Sequence, residues 1–543
     1  MTTYILGSAA DYLQPTQMKR IDVDGTPVLI VRSREGDYYA TGAVCSHAGA
    51  SLETGLLREH TIICPWHHSG FDVRCGARND PPAVSDIPAY QIDTDADGQL
   101  VLSLQPVPPR RVFNNRASHD LTVVIVGGGA GGHAAAFELR RSGFRGRVVM
   151  LTETANPPVD RTQLSKHYLD GTLDEEQVTL HDRRWYREQE IELITEARVI
   201  DVEPPEALVR FLDEMGSETL LYYDRLILAT GSRARTLPKT PPLENVFTLR
   251  SMADARRIAA LATAGSRAIV VGGSYTGIEA ALALHERGVD VTLLEQRRVL
   301  YRDAFGDQIG DMLYDHHTQV NDLKIHQGQR VRRVMRDGKR MSALELDDWR
   351  TLEADFVVVA VGVLPNTDFL QRGTILLDDE GGVLVDRYLR TNAPDVYAIG
   401  DIATYENRVG KRERIERWRT AQQHGVMAAH NIMGGDETLD RLIPFFWTEQ
   451  GSGLTLGYVG HVRKWDTIVY RGDVKEKQFL AMYIKDNRLR AAAGIGYDRD
   501  LCALEVIMRE RLPLTRPQMQ DVRFDLTQYA QTTIKRVEMP REF

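Results

Sequence analysis

A strand–glycine turn–helix pattern occurs twice in the chain and limits the folds open to it. "VVIVGGGAGGHAAAFEL" (123–139) and "AIVVGGSYTGIEAALAL" (268–284) match position by position at an offset of 145 residues. Each begins with an apolar run, turns at small residues and continues into an alanine-rich segment. Apolar strands that alternate with helices indicate a parallel α/β sheet. We therefore predict two such units, in tandem or nested.

The first glycine turn has the spacing of a dinucleotide site. Gly127, Gly129 and Gly132 form G-x-G-x-x-G directly after the apolar strand. The first glycine permits a tight bend, the second lets backbone approach a pyrophosphate, and the third lets helix and strand pack closely. The next apolar strand ends at Glu153, where an acid would meet a ribose hydroxyl. We predict a dinucleotide site; the alternative is a structural turn without a ligand.

The second turn departs from this pattern at its middle position. It carries Gly272, Ser274 and Gly277, so that a serine stands where the second glycine belongs and leaves less room for a phosphate. The following strand ends at Glu295, and a carboxylate there favours the free 2′-hydroxyl of NAD over the 2′-phosphate of NADP. The arginines at 297–298 weaken that preference. We predict NADH as the ligand.

Two further segments indicate which unit holds which nucleotide. "YDRLILATGSRAR" (223–235) and "TNAPDVYAIGDIA" (391–403) resemble the ATG and GD motifs of two-dinucleotide-binding flavoproteins. The resemblance implies that the first glycine turn binds the ADP half of FAD and that Asp401 binds the ribityl chain. It also implies cofactor contacts for Thr230 and Gly231, and for Gly362 in the last turn of the NADH unit.

The resemblance extends to one family over about residues 120–543. "PPVDRTQLSKHYL" (157–169), "RIERWRTAQQHGVMAAHNI" (414–432) and "PFFWTEQ" (444–450) are similar to segments of apoptosis-inducing-factor-like proteins and of the ferredoxin reductases that serve aromatic-ring dioxygenases. The order and spacing of several motifs agree with that family.

The family implies roles for five side chains of this sequence. Lys166 would lie near flavin N5 and pair with Glu279, and both would act in hydride transfer. Arg161 would contact the phosphate–ribityl region of FAD, and Trp418 and Trp447 would border the isoalloxazine. A partly desolvated lysine–glutamate pair can hold a flavin edge and orient the nicotinamide. No C-x-x-C occurs, so electrons must leave FAD without the dithiol relay of disulfide reductases.

A cysteine–histidine set near the N-terminus offers another route for the electrons. Cys45 and His47 form C-x-H, and Cys64 and His67 form C-x-x-H. Zinc knuckles pair cysteine with cysteine and histidine with histidine in tight turns, whereas both pairs here are mixed. Two such loops suit a binuclear iron site with two cysteines on one iron and two histidines on the other. A zinc site and four ordinary core residues are the alternatives.

This stretch resembles the Rieske ferredoxin family over roughly residues 1–105. "NDPPAVSDIPAYQI" (79–92) is similar to that family's proline loop over the cluster. The disulfide that joins the two loops in some Rieske proteins has no counterpart, since Ala50 and Trp66 stand at those places. Cys75 and Cys502 are expected to be inert buried thiols.

The fold class follows as an all-β Rieske domain, two Rossmann-like α/β domains and an α+β C-terminal domain. The predicted segments are the Rieske domain (1–105), a proline-rich linker (106–119), the FAD domain in two parts (120–240 and 368–443), the NAD domain inserted in it (241–367) and the C-terminal reductase domain (444–543).

The composition limits the partners and the location. A net charge of −9 argues against nucleic acid, and no apolar run is long enough for a membrane span. The N-terminus lacks a secretory pattern, and four cysteines in 543 residues do not make a disulfide framework, so we expect a cytoplasmic protein. The basic stretch at 411–423 is expected to be a solvated helix face. Homodimerisation is left open.

The resemblances together predict an NADH-dependent flavoprotein fused to its own ferredoxin. Electrons would pass from NADH to FAD, to the Rieske cluster and to a further acceptor such as an oxygenase. The alternative is an apoptosis-inducing-factor-like redox sensor or signalling protein that oxidises NADH slowly.

Overall fold

The computed structural model describes residues 2–108, 120–370, 374–407 and 410–533. Its described residues divide into two compact units. The first comprises residues up to 108 together with 441–447 and 457–533, and the second comprises 120–440 and 448–456. Among the described residues no helix is long and apolar enough to cross a membrane. Most of the predicted linker, at 109–119, lies outside the described residues, and the predicted domain boundaries remain predictions.

The N-terminal part consists of two antiparallel sheets. The larger has the order β1-β10-β9-β4-β3-β2 and the smaller the order β5-β6-β7-β8. Buried aliphatic residues of β3 pack on both faces of the strand. Leu29 and Val31 join a cluster with the smaller sheet, and Val28 and Ile30 join a second cluster within the larger sheet. The strands are β1 (Thr3–Ser8), β2 (Met18–Val23), β3 (Thr26–Arg32), β4 (Tyr38–Gly42), β5 (Leu56–Arg58), β6 (Thr61–Ile63), β7 (Gly70–Asp72), β8 (Arg78–Asp80), β9 (Ala89–Thr94) and β10 (Gln99–Pro106).

The first glycine turn lies in a parallel five-stranded sheet, as the strand–helix alternation predicts. Its order is β13-β12-β11-β17-β29, in which β29 is Val396–Ala398. A three-stranded antiparallel sheet, β14-β15-β16, precedes its fourth strand, β17. The elements that precede the second glycine-turn sheet are β11 (Thr122–Val126), α1 (Ala130–Arg141), β12 (Arg147–Leu151), α2 (His167–Asp170), α3 (Arg183–Glu188), β13 (Ile191–Ile194), β14 (Arg198–Glu203), β15 (Leu208–Leu212), β16 (Glu218–Tyr222), β17 (Arg225–Leu228) and β18 (Ser232–Ala234).

The second glycine turn lies in a sheet of the same design, so the internal repeat predicted from the sequence is confirmed. Its order is β22-β21-β20-β26-β19, which corresponds strand by strand to that of the first sheet. The antiparallel sheet β23-β24-β25 precedes β26 in the chain. Its elements are β19 (Val246–Thr248), α4 (Met252–Leu261), β20 (Arg267–Val271), α5 (Tyr275–Glu286), β21 (Asp290–Glu295), α6 (Arg302–Phe305), α7 (Asp307–Gln319), β22 (Lys324–Gln327), β23 (Val331–Asp337), β24 (Arg340–Leu346), β25 (Thr351–Glu353), β26 (Phe356–Val359) and β27 (Val363–Pro365).

After the second parallel sheet, the chain returns to the first one through β29 and then forms a long buried helix, α8 (Trp418–Ile432). Gly425 permits the close approach of α8 to α1, since a Cβ there would lie 2.3 Å from the carbonyl oxygen of Gly131. The expectation of a solvated helix face is wrong for residues 419–423, which are buried. The elements are β28 (Val383–Leu384), β29 (Val396–Ala398), β30 (Ala403–Glu406), β31 (Arg412–Glu413) and α8 (Trp418–Ile432).

The C-terminal domain is a five-stranded sheet with helices, as predicted. The sheet order is β32-β33-β36-β35-β34. Its core includes Leu56 of β5 and Ile63 of β6, so the N-terminal and C-terminal parts of the first unit share one hydrophobic core. The elements are β32 (Phe445–Glu449), β33 (Thr455–Gly460), β34 (Thr467–Asp473), β35 (Gln478–Lys485), β36 (Arg488–Ile495), α9 (Asp498–Glu510), α10 (Arg516–Gln520) and α11 (Leu526–Thr532).

Candidate functional site

The two cysteine–histidine loops have the same backbone design. Cys45 N–H donates to the carbonyl of Ala50, and Cys64 N–H donates to that of Ser69, both at 2.8 Å. In each loop the amide four residues after the cysteine donates back to the cysteine carbonyl, at 3.1 Å. One loop follows β4 and the other follows β6, so the small sheet and its neighbour present both loops together.

The four side chains converge as two like pairs. The Nδ1 atoms of His47 and His67 lie 2.9 Å apart. The Cys64 thiol donates to Cys45, which lowers the pKa of Cys45 to about 7 and raises the pKa of Cys64. The side chains thus pair thiol with thiol and imidazole with imidazole, whereas a structural zinc ion takes four ligands around one centre. Two thiols and two imidazoles in separate pairs fit the two irons of a [2Fe–2S] cluster.

Trp447 of β32 lies against the histidine pair. Its ring centroid is 3.9 Å from that of His67 and 5.9 Å from that of His47. The cysteines are buried, whereas both histidines are half-buried, so the histidine side of the site faces the indole and solvent. Trp447 is expected from the sequence to border the flavin; the described geometry places it beside the predicted cluster ligands.

The first glycine turn leaves room at its middle position. Gly127 has a φ of +115°, and a Cβ on Gly132 would lie 1.9 Å from the carbonyl oxygen of Gly127, so both positions require glycine. Around Gly129, by contrast, no atom lies within 4 Å of a built Cβ. Gly129 is also the N-cap of α1 and offers no side chain to the first N–H groups. An open space beside free N–H groups fits a pyrophosphate.

A charged cluster lies around Asp401. The carboxylate accepts from Ser232 Oγ at 2.7 Å and from Arg250 Nη2 at 2.9 Å. Burial, together with the charge of Arg250, lowers the pKa of Arg161 to about 10, and Asp401 opposes this shift. The structure thus brings the predicted residues Arg161 and Asp401 together. Ser232 and Arg250 were not predicted. Ser232 lies within the recognised segment 223–235 and Arg250 lies outside the recognised motifs, but both reach Asp401 only through the fold.

Buried polar atoms on α8 also fit a polar cofactor. Thr420 Oγ1, Gln422 Oε1 and His424 Nε2 have no hydrogen-bond partner among the described residues. Burial lowers the pKa of His424 to about 4, so its neutral Nδ1 accepts from Gly400 N–H. The helix begins at the half-buried Trp418. Together with the turn at Gly129, these groups fit FAD.

The remaining residues predicted for this cofactor occupy strand ends. Thr230 donates to the carbonyl of Asn366 at 2.7 Å, and Gly231 has a φ of +66°. Glu153 is exposed beyond the end of β12. Their contacts with FAD remain predictions.

The second turn repeats the first except where serine replaces glycine. Gly272 has a φ of +110°, and a Cβ on Gly277 would lie 1.9 Å from the carbonyl oxygen of Gly272. Ser274 Oγ accepts from Gly277 N–H at 3.2 Å and donates to the carbonyl of Ala360 at 3.0 Å. The hydroxyl is the N-cap of α5 and is committed to the protein before any ligand binds.

The carboxylate of Glu295 hydrogen-bonds the backbone of the same turn. One carboxylate oxygen accepts from Gly273 N–H and the other from Arg297 N–H, both at 2.7 Å. Arg297 directs its guanidinium to Asp303 at 2.6 Å, away from this carboxylate. Gly362, at the last turn of the unit, has a φ of +104° and accepts from Arg235 N–H. The buried acid fits a nucleotide without a 2′-phosphate.

Lys166 lies between two carboxylates. Its Nζ is 3.8 Å from Glu279 and 3.9 Å from Glu449, and both Lys166 and Glu279 are buried. Ser165 and Thr448 hydroxyls each donate to one oxygen of Glu279, at 2.7 and 3.0 Å. The structure brings together the pair expected from the sequence and adds Ser165, Thr448 and Glu449. Ser165, Thr448 and Glu449 all stand within recognised segments, but their partners are set by tertiary contacts.

Three family descriptions match successive parts of the chain. Residues 3–91 match the Rieske [2Fe–2S] domain, residues 121–425 match pyridine nucleotide-disulphide oxidoreductase, and residues 445–530 match the reductase C-terminal domain. These matches confirm the predicted fold class and the use of FAD, a nicotinamide nucleotide and a [2Fe–2S] cluster.

The chain is also similar to characterised relatives. Apoptosis-inducing factor 3 of Mus musculus is 31% identical over 90% of this chain and 80% of its own. The ferredoxin–NAD(+) reductase component of the anthranilate 1,2-dioxygenase system of Burkholderia cepacia is 32% identical over 70% of this chain and 92% of its own. The covalent putidaredoxin reductase–putidaredoxin complex superposes with a TM-score of 0.70 and 27% identity over 76% of this chain and 98% of that chain.

Proposed function

This chain belongs to the pyridine nucleotide-disulphide oxidoreductase family, in a Rieske-containing group with apoptosis-inducing factor 3, and on that premise we propose that it passes electrons from NADH to an acceptor protein through its own cluster. It is an FAD-dependent oxidoreductase of the ferredoxin reductase type. Bound FAD accepts two electrons and releases them singly, and a [2Fe–2S] cluster carries single electrons.

The contact between His67 and Trp447 carries the proposal. It joins a predicted cluster ligand to the C-terminal reductase domain within one compact unit, with 3.9 Å between ring centroids. A ferredoxin on a separate chain must find its reductase by diffusion. Here the Rieske and C-terminal domains touch within one unit of a single chain, so the proposed transfer needs no encounter between separate chains.

The buried lysine–glutamate group serves the nicotinamide end of the route. The Lys166 side chain lies beside two carboxylates, and the hydroxyls of Ser165 and Thr448 hold Glu279 in one orientation. Side chains fixed in this way can hold a substrate in a reactive geometry without reorganising during the reaction. We assign to Lys166 and Glu279 the positioning of NADH for hydride delivery.

The acceptor is a further redox protein, for which an oxygenase is our candidate. Reductase relatives bear the names of dioxygenase systems, for example that for anthranilate. The net charge of −9 supports a protein acceptor over nucleic acid.

The test is an anaerobic NADH titration of the full-length protein, followed by visible absorption and low-temperature EPR. We expect the flavin to bleach and a reduced Rieske signal to appear at a rate that does not change on serial dilution. A Cys64→Ser variant should still bleach but show no such signal. If the cluster stays oxidised under NADH although dithionite reduces it, the internal route is wrong.

One observation favours a second candidate, a redox sensor that oxidises NADH slowly. The Ser274 hydroxyl occupies the middle of the second turn, at the position where the first turn leaves open space at Gly129. A serine here leaves less room for the pyrophosphate than glycine does, which favours weaker NADH binding and slower NADH oxidation. Rapid NADH oxidation with ferricyanide as acceptor supports the enzyme. Slow oxidation, with NAD⁺ retained through desalting, supports the sensor.

A further inference from the structure

We propose that the reductase C-terminal domain completes the cluster site, with Glu505 acting through His68 as a positioning residue for the second ligand loop. The proposal rests on the ligand set Cys45, His47, Cys64 and His67 of the proposed function. It goes beyond that function because it assigns part of the cluster's surroundings to α9, far along the chain from the Rieske domain.

His68 follows the ligand His67 directly and is held from the C-terminal side. Its φ is +61°, which a residue with a Cβ rarely adopts unless its surroundings require it. The imidazole is buried; its Nδ1 hydrogen-bonds the buried carboxylate of Glu505, and its ring stacks on Phe445 at 3.8 Å between centroids. Both partners belong to the C-terminal domain, on α9 and β32.

A second contact from α9 reaches the other ligand of the same loop. The Cys502 thiol donates to the carbonyl oxygen of Cys64 at 3.5 Å. Cys502 and Glu505 lie one helical turn apart on α9, so a single helix face contacts both ends of the Cys64–His68 loop. Trp447 adds a third contact at His67. The C-terminal domain thus touches the loop at Cys64, His67 and His68.

Such contacts decide how ligands are oriented. Hydrogen bonds and packing outside the ligands set their orientation and tune the potential of a metal site. The Glu505–His68 bond fixes the backbone immediately after His67 and thereby the direction of the His67 ring toward Trp447. Loss of this bond should therefore change the cluster itself, and its reduction by NADH, in addition to any loss of stability.

The test compares three variants of the full-length protein. Glu505→Ala removes the acceptor, and Glu505→Gln keeps an amide oxygen for it. Glu510→Gln is the matched control, since Glu510 lies on the same helix and pairs with Arg58 of the N-terminal part, away from the ligands. The measurements are iron per FAD, the EPR spectrum after dithionite reduction, the potential from a dye-mediated titration, and the rate of cluster reduction by NADH.

We expect Glu505→Ala to alter the EPR spectrum and the potential and to slow cluster reduction by about 10- to 100-fold. Glu505→Gln, whose neutral amide oxygen is a weaker acceptor than a carboxylate, should show a smaller change of the same kind. Glu510→Gln should match wild type in spectrum and potential. If Glu505→Ala does not fold, a Glu505→Gln spectrum that differs from that of Glu510→Gln supports the proposal, and identical spectra overturn it.

Unchanged spectrum, potential and rate in Glu505→Ala overturn the positioning role alone and leave the ligand set intact. The absence of a Rieske signal in the dithionite-reduced wild-type protein overturns both the ligand set and this proposal. The two failures are therefore distinguishable.

Discussion

The indole of Trp447 lies against the imidazole of His67, with 3.9 Å between ring centroids and 40° between ring planes. The two residues are 380 positions apart in the chain and belong to domains that are each matched by their own family description. Their contact makes the C-terminal domain part of the surroundings of the predicted cluster. In the proposed route, electrons enter the Rieske domain beside this contact.

Replacement of Trp447 by leucine should slow the reduction of the cluster by NADH by about 10- to 100-fold, because the indole ring that packs against His67 would be lost. Flavin bleaching should keep its wild-type rate. Stopped-flow absorption with rapid-freeze EPR separates the two steps. Trp465→Leu is the control, since Trp465 packs on Tyr483 at 4.9 Å in the same domain without contact to the histidines. Equal rates in both variants would count against the route.

Replacement of Lys166 by methionine should slow flavin reduction by about 10²-fold. Glu279 and Glu449 would lose the cation that they share, and the bound nicotinamide would no longer be held in a fixed position. Reduction of the cluster by dithionite should be unaffected. Anaerobic stopped-flow absorption of the flavin band measures the first rate. Arg184→Met, which breaks an exposed ion pair with Glu188, is the control. A wild-type rate in the Lys166 variant would exclude it from the hydride step.

Exchange of the middle residues of the two glycine turns tests their different ligands. Ser274→Gly should lower the KM for NADH several-fold with little change in kcat, because the turn would gain the space that Gly129 has. The helix cap would be lost at a cost of only about a few tenths of a kcal/mol. Gly129→Ser should reduce the FAD retained on purification. Steady-state kinetics and FAD-to-protein ratios give the readouts, and an unchanged KM in Ser274→Gly would show that the serine does not limit NADH binding.

The stability of the FAD- and NAD-binding unit should depend on His430. Burial would lower the pKa of His430, but hydrogen bonds with Glu138 and Glu437 outweigh it and raise the pKa from 6.5 to about 9. A raised pKa contributes stability that is complete below pH 6.5 and is lost as the pH rises through 9. The contribution is on the order of 3 kcal/mol.

His430→Gln should therefore lower the unfolding midpoint at pH 6 and flatten its decline between pH 6.5 and 9. Thermal unfolding of the holoprotein, followed by circular dichroism at several pH values, measures both effects. His285→Gln, at the end of α5, is the control. Parallel pH profiles for wild type and His430→Gln would contradict the assignment.

Local sequence determined the architecture of this protein because its signals act over a few residues. The turns at Gly127 and Gly272 require glycine for steric reasons within one strand–helix unit, so both sheets could be predicted. The spacing of Cys45 to His47 and of Cys64 to His67 likewise lies within single loops. The partners of the ligands behave differently, since Glu505 and Trp447 have no spacing rule that connects them to position 67.

The tertiary structure alone decided what surrounds those local motifs. The pairing of Asp401 with Arg250, the hydroxyls on Glu279 and the contact of Trp447 with His67 each join segments that only the fold brings together. A short motif reports what its own backbone can do. Burial, hydrogen bonding and the pKa of a side chain depend on neighbours from distant parts of the chain, whose positions the packing of whole domains sets.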